Sequence, residues 1–483
     1  MDAKDLIGLT IATLATALGT VLCSLSQRIR ELAFFFLIAG TVVTDRIDIN
    51  FVSHYWYRGT TRGFEFSLLD VLAISLLLGQ LFHLFSTRGR IFWPASLAFM
   101  LLYVSFAGIS ILFADPKIYG LFELSKMLRC IVVFTATALF VRSERELMIL
   151  VFALCCIMGL ECLLSIKQRY LNGVYRATGT LEHPNSLSMY VCMVTPLLVA
   201  AYTSNITKYL RWMCFAAIGC ACLSILLTLS RAGIPIFAMI MLGTMALCGS
   251  WKITIQKIAI GVAALMVVSF ITYKSWDSLQ ARFGEASFHD EYLDTEKEGR
   301  GVYLRIAWTI LQDKPFGVGL NNWSYWVSKT YGEQVGLWYE DYDDLEYQPD
   351  KVNLPSFHYA APAHNLMALT AGELGFIGLG LFLLLWARWF WMGQVFIWRR
   401  AQTTIHRFGV GLFFGVMGVF LQSVTEWTYR QTAIAFAFHI FLGTLASLYY
   451  WRKHTTPAPT RRVAVRQAPR EEEYELVTAG ERE

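Results

Sequence analysis

Charged residues are scarce in this chain. Asp, Glu, Lys and Arg make up 16% of its 483 residues, whereas soluble domains carry about 25%. Hydrophobic residues make up 55% of the chain, and its mean hydropathy is +0.46. A soluble enzyme or a disordered scaffold needs far more polar surface than this composition offers, so both classes are excluded.

Cysteine is missing from every loop that is predicted to face outward. All ten cysteines lie inside long apolar runs, where they serve as small packing residues. Because no exposed segment holds a cysteine pair, neither a secreted disulfide-stabilised domain nor a cysteine-ligated metal site is indicated.

Polar interruptions are also rare within the apolar runs. Leu147–Ile166 and Leu374–Trp391 are each long enough to cross a bilayer as a helix, and a β-barrel is excluded because its strands would alternate in polarity. The sequence therefore predicts an all-α, polytopic helical membrane protein with about 12–13 transmembrane helices. The predicted spans lie at 7–25, 29–45, 66–86, 92–113, 118–141, 147–166, 186–203, 209–229, 231–249, 256–273, 364–391, 408–427 and 431–451.

Lysine and arginine in the short loops set the orientation of these spans. They concentrate in alternate connections and in the segment after Trp451, which places the N-terminus outside and the C-terminus in the cytoplasm. The N-terminal span lacks a basic leader and is expected to be retained. Five regions follow: N-terminal helices (1–166), central helices with an outer loop (167–273), one large extracytoplasmic loop (274–363), C-terminal helices (364–452) and a disordered cytoplasmic tail (453–483).

The large outer loop is too long for a simple connection and is expected to carry function. Within it, Gly301–Gln312 has apolar residues at helical spacing, and Pro315–Gly319 reads as a turn. Its acidic, aromatic stretch from Glu340 to Glu346 lacks the glycine and spacing of a calcium loop. We interpret that stretch as solvated, with stacking on sugar rings as an alternative.

Four polar motifs lie at the outer ends of predicted spans. They are Arg176 to Asn185, Ser230 to Gly233, Gly301 to Trp323 and Pro362 to Leu366. Three contain arginines, which suit the oxygens of a phosphate or diphosphate. The simpler alternative is that each arginine only extends its side chain to the lipid headgroups. The fourth motif contains His364, a side chain suited to proton transfer near neutral pH.

In their order, these motifs resemble the O-antigen ligase and polymerase superfamily. The succession is Arg-x-x-Gly-x-x-x-x-Pro-Asn, Ser-Arg-x-Gly, Arg-x-x-Trp with Pro-x-Gly-x-Gly, and His-Asn at a helix start, and it extends from about Arg176 to Ala446. The resemblance implies a GT-C-like glycosyltransferase of the inner membrane whose active site faces the periplasm. Family members often have twelve spans with both ends cytoplasmic, whereas thirteen are predicted here.

The resemblance also implies roles for particular residues. The family's essential histidine corresponds to His364, its loop arginine to Arg305 and its hairpin arginine to Arg231. These are the expected catalytic residues, although Arg300 lies close enough to compete with Arg305. Further expected substrate-binding residues are Arg176, Asn185, Arg300, Asn365, Lys126 and Arg129.

The implied chemistry transfers a glycan from undecaprenyl diphosphate to a sugar hydroxyl on lipid A–core or a similar glycolipid or glycan acceptor. His364 would accept the hydroxyl proton, and the arginines would neutralise the departing diphosphate, with inversion of the anomeric carbon. No metal, other cofactor or nucleic acid is expected, and membrane lipids are the remaining partners.

Glu123, Lys126 and Arg129 form a charged stripe within the fifth predicted span. Such charges are costly in hydrocarbon and are functional by default. The stripe is expected either to line a cavity for the diphosphate or to neutralise itself within the bundle. Glu373 and Glu426 also fall in predicted spans, and Glu373 should face away from His364.

Two other functions remain open from the sequence. A polymerase that adds repeat units to a lipid-linked chain would use the same motifs. A transporter would use the intramembrane charges as its pathway, but the chain shows no inverted repeat and no matching pair of broken helices.

Overall fold

The computed structural model describes residues 3–46, 48–54, 56–249, 273, 276–284, 299–342, 359–398 and 403–455. Eight helices within these ranges are long and apolar enough to cross a membrane. The predicted all-α polytopic architecture is therefore confirmed.

Twelve of the thirteen predicted spans coincide with helices. The helices are α1 (Ala3–Leu25), α2 (Gln27–Ala39), α3 (Leu68–Ser86), α4 (Leu97–Leu112), α5 (Lys117–Phe140), α6 (Glu144–Ile166), α7 (Pro184–Thr203), α8 (Lys208–Leu227), α9 (Gly233–Cys248), α10 (Trp276–Gly284), α11 (Gly301–Asp313), α12 (Leu366–Trp398), α13 (Thr404–Ser423) and α14 (Thr432–Thr455). Shorter helical turns lie at Gly40–Arg46, Lys167–Leu171, Trp323–Trp326, Val327–Tyr331, Gly332–Gln334 and Thr428–Arg430. Residues 256–272 of the predicted span at 256–273, the segment 343–358 and the tail from 456 lie outside the described residues.

Helix α7 forms the centre of the bundle. It packs against α8, α9 and α13, and 89% of the residues in its apolar 18-residue stretch are buried. Pro184 occupies its first turn, where proline has no hydrogen bond to lose, and the ring nitrogen of His183 accepts from the Asn185 amide at 3.1 Å. By contrast, only 17% of the residues in the corresponding stretch of α1 are buried. Helix α1 therefore lies at an edge of the bundle.

The loop between α2 and α3 contains a two-stranded antiparallel hairpin. Strand β1 (Asp48–Phe51) pairs with β2 (Phe64–Ser67). Asn321 of the large loop joins this region to the bundle: its Nδ2 donates to the carbonyls of Thr61 and Tyr119 at 2.9 Å each, and its Oδ1 accepts from the Thr60 amide at 2.8 Å. The two outer loops therefore form one continuous structure.

The predicted helix and turn of the large loop are both present. Helix α11 packs against α12, and the turn that follows it contains Gly317 (φ +81°) and Gly319 (φ +97°). The Val318 and Gly319 amides donate to the carbonyls of Gly372 and Glu373 at 2.9 and 2.8 Å. This turn thus lies directly against the backbone of α12.

Helix α12 is kinked where the turn meets it. Gly375 has φ +68° and ψ −168°, a conformation that is essentially restricted to glycine, and the Phe376 amide donates to Pro315 rather than continuing the helical ladder. The same loop reaches α4, because the Leu320 amide donates to Ser110 at 3.4 Å. The outer end of α4 is therefore close to the kink.

The kink separates His364 from the longer part of α12. The sequence predicted this residue at the first turn of a membrane span, but Leu366–Leu374 is a separate short helix above the longer segment that follows Gly375. At 1.5 Å per residue, the short helix from Leu366 to the kink is about 14 Å long, and His364 precedes it. The remaining segment, from Phe376 to Trp398, is still long enough to cross a bilayer.

Candidate active site

Glu426 is the centre of the polar cluster that includes His364. It lies just after α13, in the connection to α14, and is 3% exposed. Its Oε1 accepts from Asn185 Nδ2 at 2.5 Å and from Arg300 Nη2 at 2.8 Å. Its Oε2 is 2.8 Å from His364 Nδ1. Three separate regions of the chain therefore meet at one carboxylate.

The contact with Glu426 orients the imidazole ring of His364. An ionised carboxylate can only accept a hydrogen bond, so this contact favours the tautomer of His364 with the proton on Nδ1 and the lone pair on Nε2. The side chain of His364 is 34% exposed, and the ring of Tyr303 lies 5.8 Å from it. His364 is thus held by the protein on one side and accessible on the other, as a general base requires.

Arg176 and Asn185 extend the cluster toward α8. Arg176 Nη2 donates to Asn185 Oδ1 at 2.8 Å, and Arg176 Nε donates to the Thr228 carbonyl at 2.9 Å. The amide of Asn185 bridges two oppositely charged side chains, because its oxygen accepts from Arg176 while its nitrogen donates to Glu426. Four of the predicted residues, namely His364, Arg300, Asn185 and Arg176, are therefore joined in one network.

Arg231 and Arg305 lie on chain segments that adjoin this network. Arg231 is half-buried in the turn between α8 and α9, three residues after Thr228, whose carbonyl accepts from Arg176. Gly233 in the same turn approaches α7 so closely that an added Cβ would lie 3.0 Å from Ser188 Cβ. Arg305 is half-buried on α11, two residues after Tyr303.

Asn365 has a structural partner within its own helix. Its Oδ1 accepts from the amides of Met367 and Ala368 at 3.0 Å each. This arrangement satisfies two otherwise unpaired donors at the start of α12. Asn365 therefore fixes the helix that follows His364, and its amide oxygen is engaged there.

A second charged cluster lies beside the first and contains Lys126. Lys126 Nζ lies 2.8 Å from Glu123 Oε2 and donates to the Arg430 carbonyl at 2.5 Å. The Arg430 side chain donates to Glu373 at 2.5 Å and comes within 4.0 Å of Glu123. Burial alone would lower the pKa of Arg430, but Glu373 and Glu123 outweigh burial and raise the pKa well above its ordinary value. As expected, Glu373 and His364 have different partners: Glu373 pairs with Arg430, and His364 contacts Glu426.

A cavity lies beneath the second cluster, between α4, α5, α12 and α14. Its volume is about 60 Å³, and Glu123, Lys126 and Arg430 form its polar wall. Glu123 and Lys126 therefore neutralise one another within the bundle, and they also line this cavity.

Arg129 is committed to a different set of partners. Its Nε and Nη2 donate to the two oxygens of Asp70 at 2.8 Å each, and its Nη1 donates to Glu65 at 3.2 Å. Its guanidinium also stacks 5.0 Å from the ring centroid of Phe436. This bidentate pair ties α5 to the start of α3, so the contacts of Arg129 are with protein groups.

Glu426 and Arg430 were not assigned to the site from the sequence. Glu426 lies at the end of a predicted span. It was therefore counted among the residues within the membrane and not among those of the loops that were searched for a site. Asn185 is 241 residues away from it in the chain, and His364 is 62 residues away. One signal was present: acidic and basic side chains four residues apart next to a span boundary are costly unless they are paired.

The fold and the site together define a polytopic helical membrane protein with a histidine–carboxylate pair among arginines at one end of its bundle. Residues 215–383 match a family model described as O-antigen ligase. This match confirms the resemblance to the O-antigen ligase and polymerase superfamily that the motifs predicted. The matched region includes Arg231, Arg300, Arg305 and His364, whereas Arg176, Asn185 and Glu426 lie outside it. No curated protein matches the chain.

Proposed function

We propose that the protein is a glycosyltransferase that transfers a glycan from undecaprenyl diphosphate to an acceptor sugar hydroxyl, such as one on lipid A–core. The family match supports a ligase- or polymerase-type function and lipid-linked glycan substrates. The observation that carries the proposal is the pairing of His364 with the buried carboxylate of Glu426. The site is proposed to face the periplasm from the inner membrane.

In the proposed reaction, His364 is the general base. Its Nε2 takes the proton of the acceptor hydroxyl while that oxygen attacks the anomeric carbon. Glu426 stabilises the imidazolium that forms, because a carboxylate favours the charged ring beside it. The bond between the anomeric carbon and the diphosphate breaks at the same time, so attack from the opposite face inverts the centre.

The arginines are proposed to stabilise the leaving group. Negative charge grows on the diphosphate as its bond to the sugar breaks, and preorganised donors lower the energy of that state. Arg176 and Arg300 belong to the hydrogen-bond network around Glu426, and Arg231 and Arg305 lie on chain segments that adjoin this network. Arg300 donates to Glu426 through Nη2, and the planar guanidinium group is suited to phosphate oxygens.

The remaining predicted residues are proposed to act more indirectly. Asn185 holds Glu426, and Asn365 fixes the helix that follows His364. Lys126 lines the adjoining cavity and pairs there with Glu123, whereas Arg129 holds α5 to α3 through Asp70. The proposed chemistry requires neither a metal ion nor another cofactor.

The decisive experiment is reconstitution of the full chain in proteoliposomes with a polyprenyl-diphosphate-linked glycan and candidate acceptors. A single addition to the acceptor supports a ligase, whereas a ladder of products would assign the protein as a polymerase. Transport of the lipid-linked glycan without any transfer would contradict both enzymatic functions.

His364→Ala is expected to lower glycan transfer in this assay by about 10²–10⁴-fold, the usual contribution of a positioned general base. Binding of the lipid-linked donor should change much less, because the arginines remain. His406→Ala is the matched control, since His406 lies near the start of α13, at the end of that helix away from Glu426. Near-normal transfer by His364→Ala with normal donor binding would rule out His364 as the base.

A further inference from the structure

The end of the bundle opposite His364 contains two arginines that share an aromatic ring. Arg388 lies on α12, 12 residues beyond Phe376, and Arg452 lies near the end of α14. The guanidinium carbon of Arg388 is 5.5 Å from the ring centroid of Tyr449, and that of Arg452 is 4.1 Å from the same centroid. Two positive groups therefore border one tyrosine.

Arg388 lacks a compensating carboxylate within the part of the chain that the structure describes. Its Nε is buried there without a hydrogen-bond partner, and its contacts are with the rings of Phe99 and Tyr449. An unsatisfied buried donor is costly. An anion with several acceptor oxygens would relieve this cost at Arg388 and could contact the guanidinium group of Arg452 across the same ring.

Aromatic and basic side chains surround this pair of arginines. Phe92 stacks on Tyr450 with ring centroids 4.1 Å apart, and it also contacts Trp451. Arg142 donates to the carbonyl of Arg90 at this end of the bundle. Tyrosine and tryptophan next to basic side chains are typical of the membrane–water interface.

We propose that Arg388 and Arg452 form a binding site for the phosphate group of an anionic phospholipid, between α4, α12 and α14. Phosphate oxygens would accept from the guanidinium groups, and the acyl chains would lie along the exposed apolar surface beside them, where Leu384 is 46% exposed. Basic pockets between helices bind acidic headgroups in this way. The site is independent of the proposed enzymatic function.

The test measures lipid binding to the purified full-length protein. Native mass spectrometry would count retained lipids after addition of phosphatidylglycerol or phosphatidylcholine, and thermal unfolding would be followed with the same lipids and with inorganic phosphate. We expect retention of phosphatidylglycerol and a higher unfolding temperature with it alone. Equal effects of phosphatidylcholine, or of inorganic phosphate, would overturn the assignment to an anionic lipid.

The variants are Arg388→Gln and Arg452→Gln, singly and together. Each is expected to weaken phosphatidylglycerol binding about fivefold, the usual contribution of one basic residue near an anionic surface. Arg145→Gln is the matched control, because Arg145 is 66% exposed and pairs with Glu31. Circular dichroism would verify folding, and the single variants decide the outcome if the double variant does not fold. An equal loss in Arg145→Gln, or none in Arg388→Gln, would contradict the proposal.

Discussion

At the residue scale, the site depends on how a few polar side chains hold one another. Glu426 accepts from Asn185 and Arg300 with one oxygen and contacts His364 with the other, so it fixes both the ring orientation and the proton position of the histidine. Residues that orient a catalytic base in this way affect rate more than binding. Its burial also makes the carboxylate sensitive to loss of any one partner.

Glu426→Gln keeps the size of the side chain but removes its negative charge. The amide can donate a hydrogen bond to Nδ1, which would place the histidine proton on Nε2 and abolish its function as a base. We expect kcat for glycan transfer to fall by about 10²-fold or more, with a small change in KM for the donor. Glu426→Asp should recover part of the activity. An unchanged kcat in Glu426→Gln would show that the carboxylate does not support His364.

Arg300 and Arg305 can be separated by lysine replacement. Lysine keeps the charge but cannot form the paired, planar contact with phosphate oxygens. We therefore expect Arg305→Lys to lose about 10²-fold in transfer, whereas Arg300→Lys should lose less, because an ammonium can still pair with Glu426. The measurement is kcat/KM for the lipid-linked donor. Full activity in Arg305→Lys together with a loss in Arg300→Lys would move the leaving-group contact to Arg300.

At the scale of secondary structure, the kink in α12 sets where His364 lies. Gly375 combines a positive φ with close packing: a Cβ there would come within 2.5 Å of Phe316 Cα. The backbone of the Pro315–Gly319 turn fills the space beside it and bonds to the carbonyls of Gly372 and Glu373. The short helix above the kink and the large loop therefore form one unit.

Gly375→Ala should destabilise this unit. The backbone strain alone is expected to cost about 1–3 kcal/mol, and the clash with Phe316 adds to it. Thermal unfolding followed by size-exclusion chromatography would measure the loss, and transfer activity should fall because His364 shifts. Gly380→Ala is the control on the same helix, since a Cβ there meets nothing within 4 Å. Equal stability of the two variants would show that the kink does not require glycine.

At the scale of the whole molecule, the arrangement of loops and charges implies an orientation in the membrane. Asn321 joins the large loop to the loop that contains the hairpin, and Arg300 of the large loop reaches the histidine site through Glu426. The loop arginines Arg90, Arg142 and Arg145 lie at the other end, as the excess of positive charge in cytoplasmic loops predicts. The lipid site proposed at Arg388 and Arg452 belongs to that second end.

Cysteine labelling can test this orientation directly. Gln334 is exposed in the large loop, and Arg90 is exposed at the opposite end. We expect Gln334→Cys to react with an impermeant thiol reagent in intact spheroplasts, and Arg90→Cys to react only after lysis. The unmodified chain controls for its own ten cysteines. The reverse pattern would invert the topology and place the proposed site in the cytoplasm.

The sequence by itself determined the helices, because hydrophobic runs of span length and loop signals are local properties of the chain. Its motifs also identified Arg176, Asn185, Arg300 and His364, whose side chains the structure joins in one network. Each motif carries its own local spacing, so no knowledge of helix packing was needed to find them.

Only the tertiary structure decided which charged groups pair. Glu426 joins His364 and Asn185 across 62 and 241 residues of chain, and Arg129 turns to Asp70 rather than to the stripe in which it was predicted. Such pairings depend on which helix faces which, a property that the periodicity of one helix does not contain. The kink at Gly375 could not be predicted for the same reason. It forms because the backbone of the large loop, distant in sequence, replaces helical hydrogen bonds of α12.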